Sequence, residues 1–203
     1  MKKILMLAAA FLLLPLAATA AQYKEGVHYT VVSDCPATAK PEIREFFSFY
    51  CSHCYNFEKN ILPVLKARLP EGVAFEQNHV EFIGREMGVE MSRAFAIAKV
   101  LKVSDKINHA MFSAIQDKKQ HFTSRDDIKA LFVANGVDPK QFDSAASSFM
   151  VSTMLASMKR NTENAEISGV PALVVNGKYR VETGAIKSYD EMLDIALYLT
   201  KLK

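Results

Sequence analysis

Cys51 and Cys54 lie three positions apart in "FYCSHCYNF", residues 49–57 of this 203-residue chain, with His53 between them. Three chemistries use such a pair. A structural zinc site wants about four Cys or His ligands, commonly as two spaced pairs. Here there is one pair and a distant Cys35, while His28, His79, His109 and His121 are scattered without paired spacing and read as surface or core histidines. A copper or zinc carrier built on few thiol ligands stays open as the alternative. A purely structural crosslink is weak, because closing so short a loop removes little entropy from the unfolded chain. In the third chemistry, redox catalysis, a disulfide sulfur is attacked and its partner leaves as a thiolate.

Choosing among them requires the elements that position the pair. "VHYTVV" (27–32) reads as a strand, and "DCPATAKP" (34–41) as a loop. "EIREFFSFY" (42–50) is apolar on both alternating faces, the pattern of a central buried strand, with Glu45 as its acidic exception. From Cys54 the period changes. Phe57, Ile61, Leu65 and Leu69 recur every four residues and predict one helix, stopped by "PEG" at 70–72. "VAFEQNHVEF" (73–82) is the next strand, so strand, helix and strand form a βαβ unit with parallel pairing. Cys51 then falls at a strand's carboxyl end and a helix's amino end, where open α/β sheets place their sites. Unpaired N–H groups and the helix dipole there lower its pKa, a protonated His53 adds positive charge, and Cys54, one turn in, is placed to resolve.

Residues 84–168 show helical periods only. Met91, Ala94, Phe95, Ala98 and Leu101 mark one helix, and Ile107, Met111, Ala114 and Ile115 a second. Ser124 with Asp127 caps a third that ends at Gly136. Asp138 and Pro139 open a fourth, with Phe142, Ala146, Phe149 and Met150 along its face as core. "VPALVVNGKYRV" (170–181) is a hairpin turning at Asn176-Gly177, and Ser188 with Glu191 caps a last helix to Lys203.

The chain opens "MKKILMLAAAFLLLPLAATA", a secretory signal with cleavage expected after Ala20. Its apolar run is short of the ~20 residues a spanning helix needs. The mature 183 residues suffice for one core without disulfide staples. Their net charge falls from +3 to +1 because two of the 25 basic residues leave with the signal, and with no basic run this gives no case for nucleic acid. Export implies an oxidising compartment, and three cysteines leave one thiol unbridged. Cys35, in the loop before the central strand, is expected to be free and non-catalytic.

The order of strand, CxxC, helix and strand, then "GVPALVVNGKY" and a last helix, resembles the thioredoxin superfamily. A closer resemblance is to the DsbA-type periplasmic thiol:disulfide oxidoreductases. It is carried in order by "AQYKEG", "EFFSFYCSHCYNFE", "LPEGV", "HVEF", the long helical insert and "GVPALVVNGKY". The resemblance implies an α/β thioredoxin-like fold, 21–82 with 161–203, interrupted by an all-helical insert at 83–160. It implies a disulfide-donating oxidase rather than a reductase or isomerase of the same fold, with no bound cofactor. Cys51 would be the attacked cysteine, Cys54 its buried partner and His53 the histidine inside the motif. Val170 and Pro171 would be the pair facing the disulfide, with Pro171 cis as in the family, and Glu45 and Glu58 the acidic residues near the site. Glu58 fits a solvated helix face equally well. Partners would be reduced, unfolded exported proteins and a membrane quinone-linked reoxidase of the DsbB type, and the protein itself a monomer. The chain departs from the family where Ser52 follows the first cysteine in place of proline, where Gln77 stands in the place of a frequent lysine, and in possessing Cys35.

Overall fold

The computed structural model describes residues 22–32 and 37–202. The expected signal peptide and Cys35 lie outside them. Five strands form one mixed sheet: β1 (Tyr29–Val31), β2 (Glu42–Phe47), β3 (Ala74–His79), β4 (Ala172–Val175) and β5 (Tyr179–Val181), in the spatial order β1-β5-β4-β2-β3. β2 runs parallel to β3, with Glu45 opposite Gln77, and antiparallel to β4, with Glu45 opposite Leu173. It is the inner strand that its two-sided apolar pattern predicts. It is also shorter than the sequence suggests, because Ser48–Tyr50 leave the ladder and turn into the first helix. Asn176 and Gly177 both take positive φ, 55° and 64°, as a tight hairpin requires.

The helix after the CxxC is not continuous. α1 (Ser52–Asn56) runs into a π turn (Phe57–Ile61) and then α2 (Leu62–Arg68). Pro63 at the start of α2 accounts for the break, since its ring excludes the regular carbonyl position four residues back and it has no N–H to donate. The four-residue spacing of Phe57, Ile61 and Leu65 hides this because it keeps Phe57 and Leu65 buried on either side of the bulge.

Between β3 and β4 the chain is helical: α3 (Glu86–Val100), α4 (Ser104–Phe112) leading into a second π turn (Ser113–Asp117), α5 (Arg125–Ala134), α6 (Pro139–Ala146) and α7 (Phe149–Asn164). α8 (Tyr189–Leu199) closes the chain on the sheet. Ser124 and Asp127 form the reciprocal capping box, and Asp138 caps α6 ahead of Pro139. The fourth helix of the sequence reading, however, ends at Ala146. Ser148 accepts from the Val151 N–H and starts α7, which rotates Phe149 and Met150 out of register with Phe142. Those two side chains are exposed, at 85 % and 61 %, and are not core.

One apolar cluster joins the helical segment to the site end of the sheet, through Phe47, Phe49, Cys54, Phe95, Phe112 and Met111. A second fills the face under α2 and α8, around Ile43, Phe57, Leu65, Leu173 and Leu193. His79 is fully buried at the seam. Its Nε2 accepts from the Phe49 N–H (3.1 Å), so its Nδ1 carries the hydrogen that reaches Ser92 Oγ (2.8 Å). The Gln116 side chain donates to the Phe49 carbonyl (2.8 Å). Both backbone polar groups of Phe49, two residues before Cys51, are therefore held by side chains from β3 and from the second π turn.

Burial holds the His79 pKa at about 3, well below its ordinary 6.5. The unfolded chain therefore takes up the extra proton as pH falls. The contribution to stability is complete above about 6.5 and drains away toward pH 3. His79→Leu should cost about 2–3 kcal/mol by orphaning the Phe49 N–H and the Ser92 hydroxyl. It should also flatten the fall of the denaturant midpoint between pH 6.5 and pH 3. Chemical unfolding of both proteins across that range checks both.

Candidate active site

Cys51 occupies the N-cap of α1, and its own N–H is tied back to the Ser48 carbonyl (3.0 Å). That turn aims the half-buried Sγ along the helix start, where it accepts from the Cys54 N–H at 3.1 Å. Ser52 fills the first helical position without disturbing this cap. Cys54 is fully buried beneath it. The two are free thiols in this structure.

The Cys51 pKa is lowered to about 6. Its largest cause is the hydrogen bond from the Cys54 thiol, followed among the favourable causes by the Cys54 and His53 backbone N–H groups and then the His53 charge, while burial opposes. The Cys54 pKa is pushed strongly upward, first by burial and then by its hydrogen bond to Cys51. The two thiols are thus sharply unequal, as the sequence reading expects, but the chief donor is the second cysteine. His53 is exposed and contributes last.

On the opposite wall the Val170–Pro171 peptide bond is cis, and the Val170 carbonyl accepts from Cys51 Sγ at 3.4 Å. Residues 119 apart in sequence therefore meet at the reacting sulfur. Pro171, Val170 and His53 line a groove of about 690 Å³ that continues along Thr183, Ile186 and Met192.

Glu45 is 1 % exposed in the middle of β2, and burial, reinforced by the charges of Glu58 and Cys51, raises its pKa to about 8. Glu58 sits in the π turn and is mostly buried, and burial raises its pKa as well. Gln77 joins them: its side-chain amide donates to Glu45 Oε2 at 2.8 Å and to Glu58 Oε2 at 3.1 Å. The structure thus brings Glu58 inward and overturns its equal reading as a solvated helix face. Lys66 from α2 lowers both carboxyl pKa values, and Asp105 and His109 from α4 act on Glu58.

The residues that sequence reasoning missed are His79, Gln116 and Asp117. Asp117 accepts from the Tyr55 hydroxyl at 2.6 Å, and Tyr55 stacks on Phe112, so the second π turn grips α1 as well as Phe49. No local pattern marks them. Their partners are 30, 67 and 62 residues away.

A DSBA-like thioredoxin domain model matches residues 42–194. The chain belongs to that family. It is 40% identical over 183 residues to the thiol:disulfide interchange protein DsbA of Escherichia coli K12, covering 89% of this chain and 86% of that one. The Salmonella typhimurium DsbA is 41% identical over the same shares. Among solved structures, Proteus mirabilis DsbA superposes with a TM-score of 0.79 at 35% identity, covering 89% of this chain and 98% of that one. The Pseudomonas aeruginosa DsbA gives 0.78 at 28%, with 88% and 93% covered. The thioredoxin-like fold with a helical insertion and the thiol:disulfide oxidoreductase activity stand with this membership.

Replacing Cys54 by Ala removes the main donor to the Cys51 sulfur and should raise the Cys51 pKa from about 6 toward 9. His53→Ala should move it less. Titration of thiolate absorbance in the two variants ranks the causes, and a larger effect from His53 would reverse the order given above.

Proposed function

We propose that the Cys51–Cys54 disulfide is the oxidising group passed to cysteine pairs of newly exported proteins. The observation that carries this reading is the inequality of the two thiols: Cys51 ionises near pH 6 while Cys54 holds its proton. A substrate thiolate attacks Cys51 Sγ, the Cys51–Cys54 bond breaks, and Cys54 leaves with the electron pair. The substrate's second thiolate then attacks its own sulfur in the mixed disulfide and expels Cys51 as a stabilised thiolate. The substrate has lost two electrons and this protein has gained them. A low leaving-group pKa favours release in this direction.

Glu45 supplies the proton that Cys54 needs when it leaves. It is buried close enough for its charge to act on Cys54, and below about pH 8 it is protonated. Gln77 and Glu58 act as positioning residues for that carboxyl. Val170 and Pro171 contact the substrate backbone beside the reacting sulfur, as an added strand would. Support comes from the Proteus mirabilis DsbA solved with a non-covalently bound peptide PWATCDS, a structure that matches this chain with a TM-score of 0.78 at 34% identity. Among the described residues no helix is long and apolar enough to cross a membrane. With the leader cleaved after Ala20, the protein works as a periplasmic monomer on reduced, unfolded chains and is reoxidised by a membrane quinone-linked partner. Residues 21–82 and 161–203 form the catalytic domain and 83–160 its helical insert. The redox group is the cysteine pair itself, without a bound cofactor.

The Cys51–Cys54 potential measured against a glutathione buffer tests the direction. A value clearly more oxidising than the glutathione couple is expected, and one as reducing as ~−270 mV, the thioredoxin value, would assign a reductase. Cys51→Ser should abolish oxidation of a reduced substrate, while Cys35→Ser leaves it nearly intact.

The Cys51 charge also sets a pH window for stability. Its lowered pKa stabilises the reduced fold fully above about 9, and this contribution is lost as pH falls through about 6. Glu45 has the opposite sign: its raised pKa favours the fold below about 4.5, and that contribution is lost as pH rises through about 8. Gln77→Lys should pair with Glu45 and lower its pKa. The step in the rate of substrate oxidation near pH 8 should then move to lower pH, with the Cys51 titration little changed. A pH–rate profile beside a thiolate titration separates the two.

A further inference from the structure

A second hollow, of about 640 Å³, lies on the other side of the Glu166–Ser168 segment from the groove at Pro171. Its apolar floor is Phe82, Val89 and Ile167. Phe82 is 48 % exposed and Val89 38 %, although both belong to a tightly built part of the chain. Gly84 lies against the Tyr50 ring, where a Cβ would come within 2.5 Å of a ring carbon. Gly88 lies under the Glu81 and Ile83 carbonyls, where a Cβ would come within 2.1 Å of an oxygen. Phe82 is thus displayed by a closely packed loop that leans on the residue preceding Cys51. The rim carries Glu81 and Glu163 against Lys159, while Glu166 is paired with Arg180.

The segment between the two hollows is also fixed. Arg180 donates to the Ala165 carbonyl (3.2 Å) and the Glu166 carbonyl (3.0 Å) and pairs with the Glu166 carboxylate (3.5 Å). Ser168 is two residues from Val170, whose carbonyl touches Cys51 Sγ, so it lies within about 7 Å of Val170 along the chain. A substrate running extended from its reacting cysteine crosses that distance in about two residues, and the hollow begins beyond it.

We propose that this hollow is a second substrate subsite, which seats an apolar side chain next to a Lys or Arg about three to five residues from the substrate's reacting cysteine. Two observations select a substrate segment as the occupant. The hollow adjoins the substrate groove, with which it shares the wall Glu166–Ser168, and its acidic rim complements a cation beside an apolar anchor. The proposal rests on the disulfide-exchange reading above and adds to it a preference for sequence at a distance from the sulfur.

The test compares three reduced dithiol peptides with the full-length mature protein. One carries only the cysteine pair and a flanking residue on each side, and two are extended by five residues containing Phe-Arg, one at each end. One extended peptide should show a KM about fivefold below that of the short one, with kcat similar. Phe82→Ser should raise the KM of that peptide about fivefold, and Glu163→Gln should raise it less, whereas an otherwise identical Phe-Glu peptide should not respond to Glu163→Gln. Equal KM values for short and extended peptides, or a uniform loss across all three in Phe82→Ser, would overturn the subsite. So would self-association in sedimentation that vanishes with Phe82→Ser, since it would assign the hollow to a second copy of the chain. Failure of the unmodified protein to oxidise even the short peptide would instead sink the disulfide-exchange reading.

Discussion

Stabilising a negative charge on one half-buried sulfur is the constraint that organises this molecule. Cys51 Sγ needs donors, and the chain supplies them from the first turn of α1: the Cys54 thiol, the Cys54 N–H and the His53 N–H. Those donors converge only if the turn between β2 and α1 holds its shape. The turn carries no regular pairing of its own, so its geometry is set from outside. His79 and Gln116 fix Phe49 on both sides of its peptide, and the Ser48 carbonyl fixes the Cys51 N–H. A redox centre that must lose and regain a covalent bond is thereby mounted on side chains that take no part in the exchange.

The helical insert is part of that mounting. Its second π turn supplies both Gln116, to the Phe49 carbonyl, and Asp117, to the Tyr55 hydroxyl. The first π turn supplies Glu58 to the buried side of the same helix. A π turn places one more residue per revolution than a regular helix, which rotates the side chains that follow it. The second π turn presents Gln116 to the cysteine turn, and the first presents Glu58 to Gln77 on β3. Each interrupts a helix that would otherwise face those groups elsewhere.

Much of this was legible in the residues. The Asn176-Gly177 hairpin and the caps at Ser124, Asp138 and Ser188 follow from residues within a few positions of one another, and the parallel β2–β3 pair from the helix-length connection between two strand patterns. Glu45 announced itself as the acid inside an otherwise largely apolar strand, three residues in from Glu42 at its start. The losses have a common physical cause. Pro63 stands in plain view, but the apolar spacing survives the bulge it forces, so periodicity alone does not reveal it. Phe149 and Met150 continue the spacing of Phe142 and Ala146, yet the Ser147-Ser148 pair ends the helix, and serine caps compete with helix interiors through side-chain bonds that a hydrophobic count does not see. His79 and Gln116 have no local signature at all, since their partners are chosen by tertiary packing.

Gln77 shows how one departure can change a site without changing its fold. An amide in this position can hold two carboxyls through hydrogen bonds, but it brings no charge to offset theirs. With Glu45 fully buried and Glu58 mostly so, two ionised carboxylates a single amide apart would repel in a poorly solvated space. The arrangement therefore favours one proton on the pair, and Glu45, the more deeply buried, is the better holder. A lysine would neutralise one carboxylate and free that proton. The amide instead leaves it on Glu45, whose charge bears on both cysteines of the pair. The same sheet register that aligns Glu45 with Gln77 thus sets where that proton resides beneath the cysteine pair.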